Sequence, residues 1–213
     1  MPVHLLPNSK FASSLQTVAR NRDSNIKDFT WATSRVNRML VEYALNFAEY
    51  AERTVETPTG ASFDGVEIKT EICGVSVIRA GESIEQAFRE VLPGAPIGKI
   101  LLQRDPKSLN PTFFYEKYPD CIESSTVLLF EPMVATGRSL SLAMDRLMLA
   151  GVSESSIISV NYLASPDGIK YAEENHPQAT FVVASIEQKL DANGFMLPGI
   201  GDFGDRFFSK TYP

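Results

Sequence analysis

Three kinds of residue in this chain are placed to handle a phosphorylated ligand. The first is the run Thr126-Val-Leu-Leu-Phe-Glu-Pro-Met-Val-Ala-Thr-Gly-Arg-Ser139. Thr126 to Phe130 are β-prone and almost all apolar, as a buried strand requires. Glu131 and Pro132 end the strand, Ala135 to Ser139 form a turn of small residues, and Leu140 to Ala150 follow with helical periodicity. Leu140, Ala143, Met144, Leu147 and Met148 fall on one face, and Gly151 stops the helix. A strand that feeds such a turn aims free backbone N–H groups, hydroxyls and a helix N-terminus at one spot, which suits a phosphate. Glu131 stands where an acid could bind hydroxyls or help hold a hydrated Mg²⁺. The run lacks the Gly-Lys-Ser/Thr of a Walker loop and the three spaced glycines of a dinucleotide fingerprint.

The second kind is arginine at strand ends. Gly74-Val-Ser-Val-Ile78 is an apolar run followed by Arg79-Ala-Gly81 and a helix from about Glu82 to Val91. Ile97 to Gln103 is another strand, with Arg104 and Asp105 at its end. Arginine at such a turn is either a surface charge or a ligand for phosphate or pyrophosphate. The third kind is the glycine- and acid-rich stretch Gly194 to Arg206, where Gly199, Gly201 and Gly204 would let backbone groups approach and read the edge of a planar base.

The elements that must position these residues alternate. Ser156 to Ala164 is a strand, Ser165 caps a short helix with Pro166 in its first position, and Thr180 to Ile186 is a further strand. Strand–helix alternation predicts an α/β fold, a mostly parallel sheet flanked by helices. Ligands of such sheets lie at the carboxyl ends of the strands. Arg79, Arg104 and residues 131–139 all lie just past such ends, on three separate strands. Upstream, Thr33 to about Arg53 has the apolar spacing of one long helix, Thr57 to Gly60 is a turn, and Val66 to Ile72 alternates as a half-exposed strand does. Residues before about Asp28 are polar, with Leu5, Leu6, Phe11 and Leu15 free to pack on the body or a partner. Pro106 to Glu123 reads as a loop or loose hairpin, either a lid or an arm against a neighbouring subunit.

Composition narrows the classes. At 213 residues, with 44% hydrophobic and 22% charged residues, the chain suits a single domain spanning residues 1–213. A net charge of −6 argues against nucleic acid as a partner. Two cysteines, Cys73 and Cys121, and two histidines make no metal-binding pattern. No leader-like or membrane-spanning run is present, so the expectation is a cytoplasmic protein.

From about Thr57 onward the chain resembles the uracil phosphoribosyltransferase family. The matching blocks are Thr57-Pro58, Val77 to Gly81, Arg104-Asp105, Pro111 to Tyr115, Glu131 to Ser139, Ser165 to Gly168 and Pro198 to Arg206. The resemblance implies a type I phosphoribosyltransferase fold with a small C-terminal hood. It implies the reaction uracil + phosphoribosyl pyrophosphate → UMP + pyrophosphate, with Mg²⁺ carried by the substrate pyrophosphate and no metal ligand on the protein. By motif, Arg79 and Arg104 would hold the pyrophosphate. Glu131, Pro132, Met133, Val134, Ala135, Thr136, Gly137, Arg138 and Ser139 would cradle the ribose hydroxyls and the 5′-phosphate. Met196, Gly201, Asp202 and Phe203 would hold uracil, with Asp202 beside the reacting nitrogen and the donor, and Asp202 and Arg104 acting in catalysis. The loop from Pro106 would close over the donor. The family further implies a homodimer or homotetramer and leaves open GTP as an effector.

Departures from the family's pattern cluster at these motifs. The family usually has Asp at Glu131, Gly at Arg138, a small residue at Phe203, Tyr at Phe195 and an apolar residue at Glu82. They motivate two competing readings: a catalytically impaired nucleotide-binding paralogue with a regulatory or subunit role, and a transferase for a different base.

Overall fold

The structure, a computed structural model, describes residues 3–104 and 110–209. In chain order the elements are β1 (Val3–Leu5), α1 (Lys10–Arg20), α2 (Ile26–Ala44), β2 (Tyr50–Glu56), β3 (Ser62–Ile68), β4 (Ile72–Ile78), α3 (Glu82–Val91), β5 (Ile97–Arg104) and β6 (Pro111–Lys117). There follow β7 (Thr126–Phe130), β8 (Met133–Val134), α4 (Arg138–Leu149), β9 (Ile157–Ala164), α5 (Pro166–Asn175), β10 (Thr180–Ile186), β11 (Lys189–Leu190), β12 (Met196–Leu197) and α6 (Phe203–Phe208).

The main sheet has the order β1-β10-β9-β7-β4-β5-β6, with β8 also paired to β9. All its pairings are parallel except β5 with β6. The expected α/β class is therefore what forms. β7 and β9 are buried along their whole length and β4 along nearly all of its own. That is why these strands read as continuous apolar runs rather than alternating ones. On one face Leu15, Phe29, Leu40, Ile84 and Phe88 of α1, α2 and α3 pack on Phe130 and Tyr162. On the other, Leu140, Met144 and Leu147 of α4 and Ile169 of α5 pack on Val127 and Leu129. Met148, expected on the buried face of α4, is exposed, because the stripe that meets the sheet is narrower than the sequence spacing suggests.

From β4 the chain moves to β5 on one side, and from β7 it moves to β9 and β10 on the other. The strand order thus reverses between β4 and β7, and the helices that follow these two strands cover opposite faces of the sheet. A crevice must open at the carboxyl ends of two such strands. Arg79 and Glu131 are the residues immediately past those ends.

The structure corrects the sequence reading in three places upstream. The polar N-terminal segment holds β1, paired with β10, and α1, capped by Ser9, whose Oγ accepts the Ala12 N–H at 3.1 Å. The long helix starts at Ile26, with Asn25 as its cap, and ends at Ala44. Tyr50 to Arg53, expected to continue it, belong to β2, paired antiparallel with β3 in a separate hairpin around the Thr57–Gly60 turn. Phe47 and Ala51 prolong the helical spacing by coincidence, while a seven-pair ladder to residues 62–68 decides the conformation. Val66 to Ile72 is accordingly two strand ends rather than one strand. The loose hairpin expected after Pro106 is realised as β6 lying against β5, with a register shift between Leu101 and Leu102. Of the expected lid, which begins at Pro106, residues 106–109 lie outside the described residues, and so do Asp105 and the side chain of Arg104.

Candidate active site

The cleft at the β4–β7 switch point has two connected parts. The larger, about 490 Å³, is lined by Ile78, Arg79, Ala80, Gln103, Glu131, Met133, Ser139, Asp202, Phe203 and Gly204. The smaller, about 160 Å³, is lined by Met133, Ala135, Thr136, Asn193, Gly194, Phe195, Met196, Gly201, Asp202 and Phe203. Met133, Asp202 and Phe203 border both. The larger part thus carries an arginine and two acids, while the smaller is walled by the β7–α4 turn and the β11–β12 hairpin with its following loop.

The β7–α4 turn is held from behind. Gly137 has φ +76°, and a Cβ there would sit 2.2 Å from the Gly168 carbonyl oxygen. A Cβ on Gly168 would in turn sit 2.2 Å from the Ala135 carbonyl oxygen. Ser165 Oγ donates to that same Ala135 oxygen at 2.5 Å and accepts from the Gly168 N–H at 2.8 Å. The Ser165–Gly168 block is therefore the bed on which the turn rests, backbone against backbone, and only glycine fits at the two contacts. The buried Asn161 donates from Nδ2 to the Glu131 carbonyl at 2.7 Å and fixes the strand end. Glu131 itself is buried.

Arg79 follows β4 with its guanidinium half exposed, and Nη2 meets Asp205 Oδ1 at 2.5 Å. Gly81, two residues on, passes so close to β7 that a Cβ would lie 2.3 Å from the Phe130 carbonyl, which keeps the arginine turn flush with the Glu131 turn. Asp202 is the N-cap of α6, its Oδ1 accepting from the Asp205 N–H at 2.8 Å. One short segment, Asp202 to Asp205, thus touches both parts of the cleft and the arginine.

Of the residues expected at the site, Arg79, Glu131, Met133, Ser139, Asp202 and Phe203 border the larger part. Met133, Ala135, Thr136, Met196, Gly201, Asp202 and Phe203 border the smaller. Pro132, Val134, Gly137 and Arg138 line neither; Val134 is buried behind the turn, and Arg138 Nη1 donates to Asn110 Oδ1 beside β6. Arg104 ends β5 directly after Gln103, which borders the larger part, and its side chain lies outside the described residues.

Two of the departures, Phe203 and Glu82, have clear local partners. The Phe203 ring is 2% exposed, stacked on Phe207 at 5.7 Å and set against Phe29 and Tyr162 at 5.5 and 5.6 Å. It fills an aromatic cluster between α2, β9 and α6 rather than lying across the small part as a free ring. Glu82 reaches Lys99 Nζ of β5 at 2.7 Å, and Glu85 shares that ammonium. Burial works to lower the Lys99 pKa, but hydrogen bonds and charge from Glu82 and Glu85 together outweigh it and raise the pKa from its ordinary value.

Sequence reasoning missed Gln103, Asn193 and the structural role of Asn161 and Ser165. Ser165 was visible as a cap, but that its hydroxyl also reaches Ala135 is a long-range fact. Cys73 is buried, and desolvation pushes its thiol up to about 12, which leaves it unsuited to nucleophilic chemistry. Among the described residues no group of three or more His, Cys, Asp or Glu side chains is placed to hold a metal ion. Among the same residues no helix is long and apolar enough to cross a membrane.

A family model described as uracil phosphoribosyltransferase matches residues 6–210. The chain is 42% identical over 206 residues to the uracil phosphoribosyltransferase of Lachancea kluyveri, covering 97% of this chain and 95% of that protein. Among solved structures, the AQ2163 protein of Aquifex aeolicus superposes with a TM-score of 0.85 at 26% identity, covering 97% of this chain and 98% of that one. The adenine phosphoribosyltransferase of Trypanosoma brucei, solved with AMP, pyrophosphate and ribose-5-phosphate, shares the fold with a TM-score of 0.58 at 14% identity, covering 95% and 89%.

Proposed function

The chain belongs to the uracil phosphoribosyltransferase family, and we infer from the cleft how it carries out the transfer. It is a pentosyltransferase that joins uracil to the phosphoribosyl group of phosphoribosyl pyrophosphate, giving UMP and pyrophosphate. The observation that supports the assignment of parts is the shared border: Met133, Asp202 and Phe203 face both a charged chamber and a small one. The donor's pyrophosphate takes the Arg79 chamber, its 5′-phosphate takes the Thr136–Ser139 turn, and uracil takes the small chamber. The bond that forms and the bond that breaks then meet at the border.

Displacement at the anomeric carbon passes through an oxocarbenium-like transition state, as in glycoside cleavage. Negative charge grows on the departing pyrophosphate, and Arg79 stabilises that charge more in the transition state than in the ground state, a role the family's motif also gives to Arg104. Glu131 and Asp202 line the chamber and would suit a hydrated Mg²⁺, an ion that needs at most one or two carboxylates; when bound it would supply positive charge to the leaving pyrophosphate. Asp202 accepts the proton that uracil nitrogen gives up as the new bond forms. Backbone groups around Gly201 and Phe203 select uracil over cytosine, since the reversed hydrogen-bonding groups at the 4-position would leave buried polar atoms unpaired.

Titration with UMP is expected to show one site per chain, and absence of binding at millimolar nucleotide would contradict the assignment. Asp202→Asn keeps the cap on α6, because Asn caps as well as Asp, but removes the base. It is expected to lower kcat by about a hundredfold while UMP still binds. Unchanged kcat would remove Asp202 from the chemistry. The same proposal takes in a homodimeric or homotetrameric assembly, a cytoplasmic location and GTP as an effector. Assembly is supported by the β2–β3 hairpin, which exposes Tyr50, Val55, Phe63 and Val66 away from the core. The impaired-paralogue reading and the different-base reading are not favoured, because the chain is 42% identical to a uracil phosphoribosyltransferase over 97% of its length, and two of the departures, Glu82 and Phe203, are taken up by Lys99 and by the aromatic cluster.

A further inference from the structure

The loop that walls the uracil chamber is held by charges whose partners are backbone atoms. Gly199 donates its N–H to Glu187 Oε2 at 2.9 Å, and its carbonyl accepts from Arg20 Nη1 at 3.3 Å. Arg20 Nη2 and Glu187 Oε1 close the ring at 2.5 Å. One ion pair therefore grips both polar groups of a single residue. The next carbonyl, that of Ile200, accepts from Arg206 Nη1 at 2.9 Å. The same guanidinium donates to the Ala19 and Asn21 carbonyls at the end of α1, at 2.6 and 2.9 Å. The Glu187 side chain is 1% exposed and that of Arg20 is 25% exposed.

This arrangement is expensive if its only use is stability. A buried ion pair loses much of its hydration, and a well-packed apolar pair of similar volume is often as stable. What the pair does provide is a fixed backbone. Gly199 and Gly201 both have positive φ, +64° and +74°, and a segment built on such residues has many conformations to choose from. Gly201 to Phe203 border the uracil chamber directly after the gripped residues. Recognition by backbone groups demands that those groups be held to within about half an ångström. Gly199 and Gly201 have no side chains to supply that, and the Ile200 side chain is anchored in the core; the Gly199 peptide groups themselves are held by charged groups from α1 and from the base of the β11–β12 hairpin.

We propose that Arg20 and Glu187 are positioning residues for uracil: their ion pair fixes the Gly199 peptide groups and so sets the register of the backbone that reads the base. The inference rests on the reading above that uracil occupies the small chamber. Arg20 lies on a helix with no residue in either part of the cleft, so the donor side should be insensitive to it.

The test is steady-state kinetics on the full chain, with uracil and phosphoribosyl pyrophosphate varied separately, for wild type, Arg20→Met, Arg20→Lys and Glu187→Gln. Arg20→Met is expected to raise the KM for uracil by about ten- to a hundredfold, the loss typical of a hydrogen-bonded charge, and the KM for the donor by less than about threefold. Glu187→Gln keeps an acceptor for the Gly199 N–H and is expected to cost less than Arg20→Met. Arg20→Lys keeps the charge but not the fork that spans Glu187 and Gly199, so it should fall between wild type and Arg20→Met. Equal rises in both KM values, or a fall in kcat alone, would overturn the inference. If Arg20→Met does not fold, the two conservative variants, Arg20→Lys and Glu187→Gln, decide it, and an unchanged uracil KM in both would overturn it. A wild type that forms no UMP from uracil would overturn the function itself, and this inference with it, before any variant is compared.

Discussion

Gly137→Ala is expected to raise the KM for phosphoribosyl pyrophosphate by about ten- to a hundredfold, from backbone strain of about 1–3 kcal/mol, and to lower the melting temperature. Two separate costs meet at this position. At φ +76° a side chain is strained by itself, and the new Cβ would lie 2.2 Å from the Gly168 carbonyl oxygen. That oxygen belongs to the first turn of α5 and cannot swing away as a flexible side chain could. The β7–α4 turn must therefore lift, and its N–H groups leave the position that suits the 5′-phosphate. Gly168→Ala attacks the same contact from the other side, 2.2 Å from the Ala135 oxygen, and is expected to give the same kinetic pattern. Because the two changes disrupt one contact, the double variant should be less impaired than the product of the single effects. Donor KM values within about twofold of wild type in both would show that the turn's shape does not depend on this bed.

Arg79→Met is expected to lower kcat by about a hundred- to a thousandfold, the range seen when one preorganised group facing developing charge is removed. In the free protein Arg79 pairs with Asp205, and both are about half exposed, so the pair itself contributes little to stability. On the proposed assignment it would keep the guanidinium extended at the mouth of the chamber until pyrophosphate displaced the carboxylate. Asp205→Asn separates the two roles. If Arg79 acts on the leaving group, Asp205→Asn should keep kcat within about threefold of wild type. If Arg79 serves only to anchor α6, the two variants should lose activity alike.

The parallel sheet was legible because β4, β7 and β9 are buried on both faces and leave near-continuous apolar runs. Two residues of the cleft lining were legible for a related reason: Arg79 and Glu131 follow those runs directly, so naming the strands also names the residues at their carboxyl ends. Ser165 and Pro166 marked a helix start by local rules alone. Pairings across long separations left no such signal. Arg20 meets Glu187 and Gly199, which are 167 and 179 residues away, and a polar helix near the N-terminus gives no hint of that. Glu82 read as an anomaly at a turn because its partner, Lys99, sits on the next strand. The helix overrun at Tyr50 to Arg53 has the same origin, since local spacing favoured one conformation and a ladder to residues 62–68 imposed another. Phe203 looked like a ring beside the base, and only packing against Phe29, Tyr162 and Phe207 shows where it goes.

The most direct measurement is the simultaneous initial rate of UMP and pyrophosphate formation by the purified chain with phosphoribosyl pyrophosphate and Mg²⁺. Uracil, cytosine, hypoxanthine and orotate would each be offered separately. Equal amounts of UMP and pyrophosphate from uracil, and neither nucleotide nor pyrophosphate from the other three bases, is the expected result. Nucleotide formed from another base but not from uracil, or no turnover with any base while UMP still binds, would contradict it.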